Sequence, residues 1–158
     1  MAPDCKFCRI LAGQEPASFI HQDAQCAAFM TLRPIRPGAF MVIPRQHIDH
    51  FTDLSDDVSA HILRVAQHYG RRLLEVTEAV RVGYVIHGFG VPHAHLNVVP
   101  QHDTYDIISA RFVVTEDQAP FRVTERTIPI PPRAELDAMA ARIGGETHPI
   151  EIKKYSAR

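Results

Sequence analysis

The sequence predicts a fold that combines several short strands with one long helix, and three observations carry this prediction. Short apolar runs over residues 39–44 and 81–87 are bounded by proline and glycine, as is typical of strands. The segment from Ser55 to about Glu78 repeats apolar side chains at intervals of three and four, which indicates an amphipathic helix. The run Val91–Pro100 alternates with a period of two, which indicates a strand with two different faces.

Length and composition predict one soluble domain over residues 1–158. Apolar residues make up 46% and charged residues 22%, which is ordinary for a globular protein. The formal net charge is −1 and no basic block occurs, so we expect no nucleic-acid partner. No apolar run is long enough for a membrane span or a signal peptide, so we expect a cytoplasmic protein without a membrane partner. Three cysteines in a reducing compartment do not predict a disulfide framework.

The N-terminal segment contains the pair Cys5 and Cys8, and a short helix ending at Gly13 follows it. Such a pair is half of a zinc site, a redox pair or two thiols without a role. A redox pair of the thioredoxin kind lies near a βαβ pattern, and none follows here. A zinc site needs two more ligands, and His47 and His93 are candidates.

Strands are predicted over residues 17–20 and 25–32, with a turn at Gln22–Asp23 between them. Residues 33–38 contain two prolines and end in glycine, so they predict a loop. The apolar run 39–44 then predicts a buried strand.

The long helix has a clear start and the C-terminal third has a weaker pattern. Ser55 is a suitable N-cap, and the two acids after it favour the first turn of a helix that runs to about Glu78. Beyond Pro100, residues 107–115 are predicted to be partly extended, and residues 134–143 are predicted to form a short helix stopped by two glycines.

The run Val91–Pro100 carries the residues with the most chemistry. Its outward positions are His93, His95, Asn97 and Val99, while the alternating positions between them are apolar and suit a core. This polar ridge is a ligand site or a half-exposed strand that is rich in histidine. Two glycines just before the run either let a backbone approach a ligand closely or form a plain hairpin turn.

The same run resembles the signature of the histidine triad superfamily, His-φ-His-φ-His-φ-φ with φ apolar, with Asn97 in place of the third histidine. Three further matches strengthen the resemblance: the Cys-x-x-Cys pair, the Glu15–Ala17 step and a Val-Ile-Pro-x-x-His run over Val42–His47. The chain is identified on these residues as similar to the zinc-containing branch that begins with Cys-x-x-Cys.

The resemblance implies an α+β fold with an antiparallel sheet of about five strands, one long helix and short terminal helices. It covers a core over about residues 5–101, and a less legible extension occupies residues 102–158. It also implies a homodimer that forms through the long helix and the strand 82–86.

For the site, the resemblance implies a structural zinc ion held by Cys5, Cys8, His47 and His93. It implies that His95 attacks the phosphorus of a nucleotide substrate, with Asn97 beside it. The residues implied to bind the nucleotide are Phe7, Ile10, Phe29, Thr31 and Gly90. Composition alone places the first three of these in the core.

Four features depart from the family pattern. Ala39 replaces a histidine, Thr31 replaces the acid that commonly binds ribose, and Phe89–Gly90 replaces a Gln-Ser step before the motif. Asn97 replaces the third histidine and cannot shuttle protons as histidine does. Proton transfer would then fall to another histidine, and the candidates are His50, His87 and His102. Three functions remain open: a hydrolase of phosphoramidates or dinucleoside polyphosphates that forms a covalent nucleotidyl-histidine, a nucleotidyltransferase using the same intermediate, and a zinc-stabilised nucleotide-binding protein without turnover.

Overall fold

A five-stranded antiparallel sheet forms the centre of the fold. The computed structural model describes residues 2, 4–103, 106, 113–114, 122–123 and 128–145. The strands lie in the order β1-β2-β3-β5-β4. They are β1 (Phe19–Gln22), β2 (Cys26–Met30), β3 (Phe40–Pro44), β4 (Arg81–Ile86) and β5 (Leu96–Gln101). The predicted α+β class with about five antiparallel strands is confirmed.

Three helices accompany the sheet in the described part of the chain. They are α1 (Lys6–Leu11), α2 (Asp56–Thr77) and α3 (Arg133–Gly144). One turn of 3₁₀ helix over Phe51–Asp53 precedes α2. None of these helices is both long and apolar enough to cross a membrane.

The long helix α2 begins and ends as its sequence predicts. The Ser55 hydroxyl accepts a hydrogen bond from the amide of Val58, and the chain leaves the helix at Glu78 with a left-handed φ of 55°. Ile62 and Leu73 lie on the helix face that is buried against the sheet. This face makes α2 the main support of the sheet from one side.

The two faces of the sheet bury different clusters. Side chains that alternate toward α2 and α3 include Met30, Phe40, Val42, Leu96 and Val98. Side chains that point to the opposite face pack under α1, and they include Ala27, Phe29 and Ile43. The alternation therefore places α1, with its two cysteines, on the face opposite to the long helix.

Two strand boundaries differ from the prediction. The strands β1 and β2 meet in a turn that starts at Asp23, because its carboxylate accepts the amides of Gln25 and Cys26. The predicted strand 17–20 is therefore displaced to Phe19–Gln22, and its partner is shorter than expected.

The prediction that a strand begins at Val91 is wrong, because β5 begins only at Leu96. Pro92 has no amide hydrogen for a ladder. The amide of His93 donates to the Val91 carbonyl, and the amide of Ala94 donates to the Ile48 carbonyl outside the sheet. The two histidines of the motif are thus carried by an irregular segment at the entrance of the strand.

The C-terminal predictions are tested only in part. The helix predicted over 134–143 is confirmed, and it occupies Arg133–Gly144. Within the predicted extended segment 107–115, the described residues form the short strand β6 (Val113–Val114), which pairs with β7 (Arg122–Val123). The rest of that segment and the tail beyond residue 145 lie outside the described residues.

Candidate active site and metal centre

Four side chains that the resemblance implies as metal ligands come together between α1 and the sheet. Cys5 and Cys8 lie at the start of α1, His47 follows β3, and His93 precedes β5. Their ligand atoms all lie within 4.8 Å of one another. The Sγ atom of Cys5 lies 3.5 Å from Nδ1 of His93, and Sγ of Cys8 lies 3.5 Å from Nδ1 of His47 and 3.7 Å from Nδ1 of His93.

These separations fit a tetrahedral metal ion. With sulfur ligands at about 2.3 Å and nitrogen ligands at about 2.0–2.1 Å, the sulfur–nitrogen edge of a zinc tetrahedron is roughly 3.5 Å. Two thiolates and two imidazoles are also the donor set that zinc prefers over the harder divalent cations. The cluster is thus able to hold a metal ion of this type.

The ring of His93 is oriented with Nδ1 toward the two thiols. Its Nε2 donates to the Pro44 carbonyl at 2.9 Å, which leaves the Nδ1 lone pair facing the two thiols. Burial lowers the pKa of His93, and the neighbouring His47 and His95 lower it further against the opposing effect of the Pro44 bond. Burial raises the pKa of the Cys8 thiol, and a bound cation would reverse that effect.

His95 is held with one ring nitrogen engaged. Its Nδ1 lies 2.8 Å from the carbonyl oxygen of His93. A carbonyl only accepts, so Nδ1 carries the proton and the lone pair lies on Nε2. The ring of Phe7 packs edge-on against both rings, with centroids 5.8 Å from His93 and 5.6 Å from His95. The imidazole of His95 is thereby fixed in both tautomer and position.

A small cavity of about 20 Å³ opens beside His95. Such a volume holds roughly one water-sized group. His50 and His87 line it together with His95, and so does Asp49. The cavity therefore has two further imidazoles beside the candidate nucleophile.

The third candidate for proton transfer, His102, lies elsewhere. His102 follows the last residue of β5, and a strand rise of about 3.3 Å per residue places it roughly 20 Å from His95. His102 is therefore too distant to replace the third histidine of the motif.

Asn97 lies on the α1 face of β5, where its Nδ2 donates to the Val85 carbonyl at 3.4 Å.

The five residues that the resemblance implies for nucleotide binding are placed in two settings. Phe7, Ile10 and Phe29 are buried in the cluster under α1, each at most 6% exposed, and only Phe7 among them has a ring contact with His95. Thr31 follows β2, where its amide donates to the Ala39 carbonyl. Gly90 lies in the exposed loop before the motif with φ of 116°.

Sequence reasoning missed a second group of possible metal ligands. His21, Asp23 and Cys26 lie on the β1–β2 hairpin, with ligand atoms within 4.8 Å of one another. The spacing His-x-Asp-x-x-Cys around a predicted turn was the available signal.

The HIT domain family matches residues 12–104, which is more than half of the 158 residues. The chain belongs to the HIT domain family. The match includes His47, His93, His95 and Asn97, while Cys5 and Cys8 precede it.

Individual HIT relatives support the fold. A HIT-like protein from Bartonella henselae has a TM-score of 0.69 at 16% identity, covering 91% of this chain and 97% of that one. A zinc-bound histidine triad family protein from Mycobacterium smegmatis has a TM-score of 0.64 at 25% identity, covering 89% and 95%. An adenosine 5'-monophosphoramidase from Schizosaccharomyces pombe is 31% identical over 101 residues, which are 61% of this chain and 74% of the relative.

Proposed function

We propose that this HIT-family chain hydrolyses nucleoside phosphate derivatives, namely phosphoramidates or dinucleoside polyphosphates, through a covalent nucleotidyl-histidine on His95. The observation that carries the proposal is the 2.8 Å contact between Nδ1 of His95 and the carbonyl of His93. This contact keeps the proton on Nδ1, so that Nε2 offers a lone pair to phosphorus. The phosphoramidase named among the relatives acts on a substrate of this class.

The reaction proceeds in two displacements. Nε2 of His95 attacks the phosphorus, a phosphorus–nitrogen bond forms, and the bond to the amine or phosphate leaving group breaks. The leaving group departs with a proton from a neighbouring acid. Water then attacks the same phosphorus and returns a proton to that acid. The bond to His95 breaks, and a nucleoside monophosphate is released.

The acid belongs to the cavity beside the nucleophile. Asn97 donates an amide hydrogen bond to a phosphoryl oxygen but does not titrate at neutral pH. His50 and His87 line the cavity with His95 and are able to give a proton to the leaving group. We assign leaving-group protonation to one of these two imidazoles.

A zinc ion on Cys5, Cys8, His47 and His93 is part of the proposal. The sulfur–nitrogen separations of 3.5–3.7 Å support it, and so does the zinc-bound relative from Mycobacterium smegmatis. Zinc supplies a rigid cross-link between α1 and the segment before β5 when it is bound. A reducing compartment such as the cytoplasm keeps the thiols available as ligands.

The nucleotide is proposed to lie on the α1 face of the sheet, next to His95. Phe7, Ile10 and Phe29 shape the surface for the base from beneath, because they are buried. The Thr31 hydroxyl is suited to hydrogen bonding with ribose, and Gly90 lets phosphate oxygens approach the backbone without a side chain in the way.

A homodimer completes the proposed assembly. The strand β4 is an edge of the sheet, so its outer backbone groups have no partner strand among the described residues. Tyr84 on this strand is 43% exposed and Ile86 is 52% exposed. Pairing of β4 with its copy, supported by α2, would satisfy that edge and cover these side chains.

A nucleotidyltransferase is the second candidate, and Asn97 is the observation that favours it. A carboxamide at this position gives no proton relay for the attack of water, so the covalent intermediate survives until another acceptor arrives. A nucleotide-binding protein without turnover is the remaining possibility. The three functions differ in whether the nucleotide becomes bonded to His95 and in which acceptor then removes it.

The experiment is a substrate panel with product analysis. Adenosine and guanosine phosphoramidates and diadenosine polyphosphates are incubated with the wild-type protein, with His95→Ala and with His102→Ala as the matched control. We expect monophosphate release by the wild type and by His102→Ala, and a loss of at least about 1,000-fold in His95→Ala. Undiminished hydrolysis by His95→Ala would contradict the proposal.

A further inference from the structure

The β1–β2 hairpin and α2 bring together four potential ligands at the carboxylate of Asp23. This place is separate from the group of Cys5, Cys8, His47 and His93. Nε2 of His21 and Nε2 of His61 each lie 2.7 Å from the same oxygen, Oδ2 of Asp23. The Sγ atom of Cys26 lies 3.7 Å from that oxygen. The ligand atoms of His21, Asp23 and Cys26 lie within 4.8 Å of one another, and His61 reaches the same carboxylate from the long helix without belonging to that mutual set.

The two carboxylate oxygens of Asp23 have different hydrogen-bond partners. Oδ1 accepts the amides of Gln25 and Cys26 and so holds the hairpin turn. Oδ2 is left to the two histidines and the thiol. Burial alone raises the pKa of Asp23, but the hydrogen bonds from His21, the turn amides and His61 outweigh it and hold this pKa far below its usual range. The carboxylate is thus an anionic centre that the hairpin positions for these three side chains.

Tyr69 supports either tautomer of the His21 ring. Its hydroxyl lies 3.2 Å from Nδ1 of His21. When Nε2 of His21 donates to Asp23, Nδ1 accepts from this hydroxyl. When Nε2 offers its lone pair to a cation, Nδ1–H donates to the same hydroxyl oxygen, as outer partners of metal-bound histidines commonly do. The hydrogen-bond network around Asp23 is therefore convertible into a ligand shell.

We propose that His21, Asp23, Cys26 and His61 form a second binding site for a zinc-class divalent cation. Nitrogen, carboxylate and sulfur donors together favour zinc or cobalt over magnesium or calcium. The separation of 3.7 Å between Sγ and Oδ2 already matches the edge of such a tetrahedron, which is roughly 3.6 Å. The histidines must move about 0.7 Å away from Oδ2 to reach the nitrogen–oxygen edge of roughly 3.4 Å. His61 must also rotate toward the other ligands, because it lies outside the set whose ligand atoms are within 4.8 Å of one another.

We expect this site to bind a cation more weakly than the site of Cys5, Cys8, His47 and His93 does. Cys26 is the single thiol of this site and is fully buried, whereas the other site offers the two thiols of Cys5 and Cys8. The imidazoles also give up their hydrogen bonds to the carboxylate. The first equivalent of metal consequently fills the cluster with two cysteines, and the second fills the site at the hairpin.

Cobalt titration followed by absorbance and by metal analysis tests the proposal. Protein that carries its first equivalent of zinc is titrated with Co²⁺, and we expect a second equivalent with a charge-transfer band from one thiolate. His61→Gln and Asp23→Asn should each weaken this second step by at least tenfold and keep the first equivalent. Cys26→Ser should remove the charge-transfer band.

Two matched variants separate the sites. His68 lies on the same helix, and its ring packs against Tyr69. The substitution His68→Gln should therefore keep both equivalents of metal. Cys8→Ser should lose the first equivalent and keep the second. Saturation at one equivalent in the wild type would overturn the proposal, and so would a second step that is unchanged in both His61→Gln and Asp23→Asn.

Discussion

Nδ1 of His95 lies 2.8 Å from the carbonyl oxygen of His93, and the ring of His93 in turn faces two cysteine thiols. One residue therefore serves the metal cluster with its side chain and the candidate nucleophile with its backbone. The position of His93 is fixed further by the bond from its Nε2 to the Pro44 carbonyl. We infer that the metal cluster orients the nucleophile through this one peptide group.

The first prediction concerns the metal cluster. Cys8→Ser should lower the strongly bound zinc from about one equivalent to less than about a tenth, because it replaces a thiolate ligand with a poor one. It should also lower the melting temperature. A metal that binds only the native state, at a free concentration 100 times its Kd, stabilises that state by about 2.7 kcal/mol. Metal analysis and calorimetry measure the two effects.

His50→Gln is the control, because His50 is three residues from His47 and its side chain is 61% exposed. It should keep both the zinc and the melting temperature. Full retention of the strongly bound zinc by Cys8→Ser would contradict the assignment of the cluster.

The second prediction concerns the acid. His50→Gln and His87→Gln are compared with His102→Gln, which lies at the far end of β5. One of the first two should lower kcat by about 100-fold or more for substrates with a basic leaving group, since general acid catalysis contributes about that much. The loss should shrink for a leaving group that departs without protonation. Equal rates in all three variants would show that neither cavity histidine is the acid.

The fold was largely predictable from the sequence, because its signals are local. The capping hydroxyl of Ser55 and the regular apolar spacing behind it define α2 within about one residue at each end. The start of β5 at Leu96 instead of Val91 was not predictable from alternation, because the amide of Ala94 is taken by the distant Ile48 carbonyl. Such a long-range hydrogen bond leaves no trace in the local pattern.

The candidate site divides in the same way. The motif and its resemblance named Cys5, Cys8, His47 and His93, which the structure brings together. The convergence of His61 with Asp23 depends on how the helix packs on the hairpin, so no local spacing announces it. For the same reason the sequence could not choose His50 and His87 over His102 as neighbours of His95.

The third prediction concerns acid stability. Asp106 is fully buried and accepts from Nε of Arg36 at 2.6 Å and from the amides of His102 and Asp103. Burial raises the pKa of Asp106, but these hydrogen bonds outweigh it and lower the pKa below its usual value. The carboxylate therefore stabilises the fold above about pH 4, and this contribution is lost as pH falls toward the folded pKa.

Asp106→Asn should lower the free energy of unfolding by about 1.5–3 kcal/mol at neutral pH. The difference from wild type should shrink below about pH 4. Asp103→Asn is the control, because its partly exposed ion pair with Arg36 should contribute less than about 1 kcal/mol. Urea unfolding at pH 7 and pH 3.5 measures both, and a difference that grows on acidification would refute the assignment.

The fourth prediction concerns assembly. Light scattering at micromolar concentration should give twice the chain mass of 17.7 kDa for the wild type. Ile86→Lys places a charge on the exposed edge strand and should shift the mass toward one chain. Ile130→Lys is matched to it, because both side chains are 52% exposed, and it should leave the dimer intact. A wild type of 17.7 kDa would reject the dimer.

The central claim is that His95 becomes covalently bonded to the nucleotide. Rapid mixing of the wild type with an adenosine phosphoramidate, followed by acid-free quenching and intact-mass analysis, measures this bond directly. We predict a mass increase of one nucleotidyl group, mapped to His95, absent in His95→Ala, and shorter-lived in Asn97→His because that substitution restores a titratable group beside the phosphorus. Hydrolysis by the wild type without any adduct, or an adduct that persists in His95→Ala, would contradict the account.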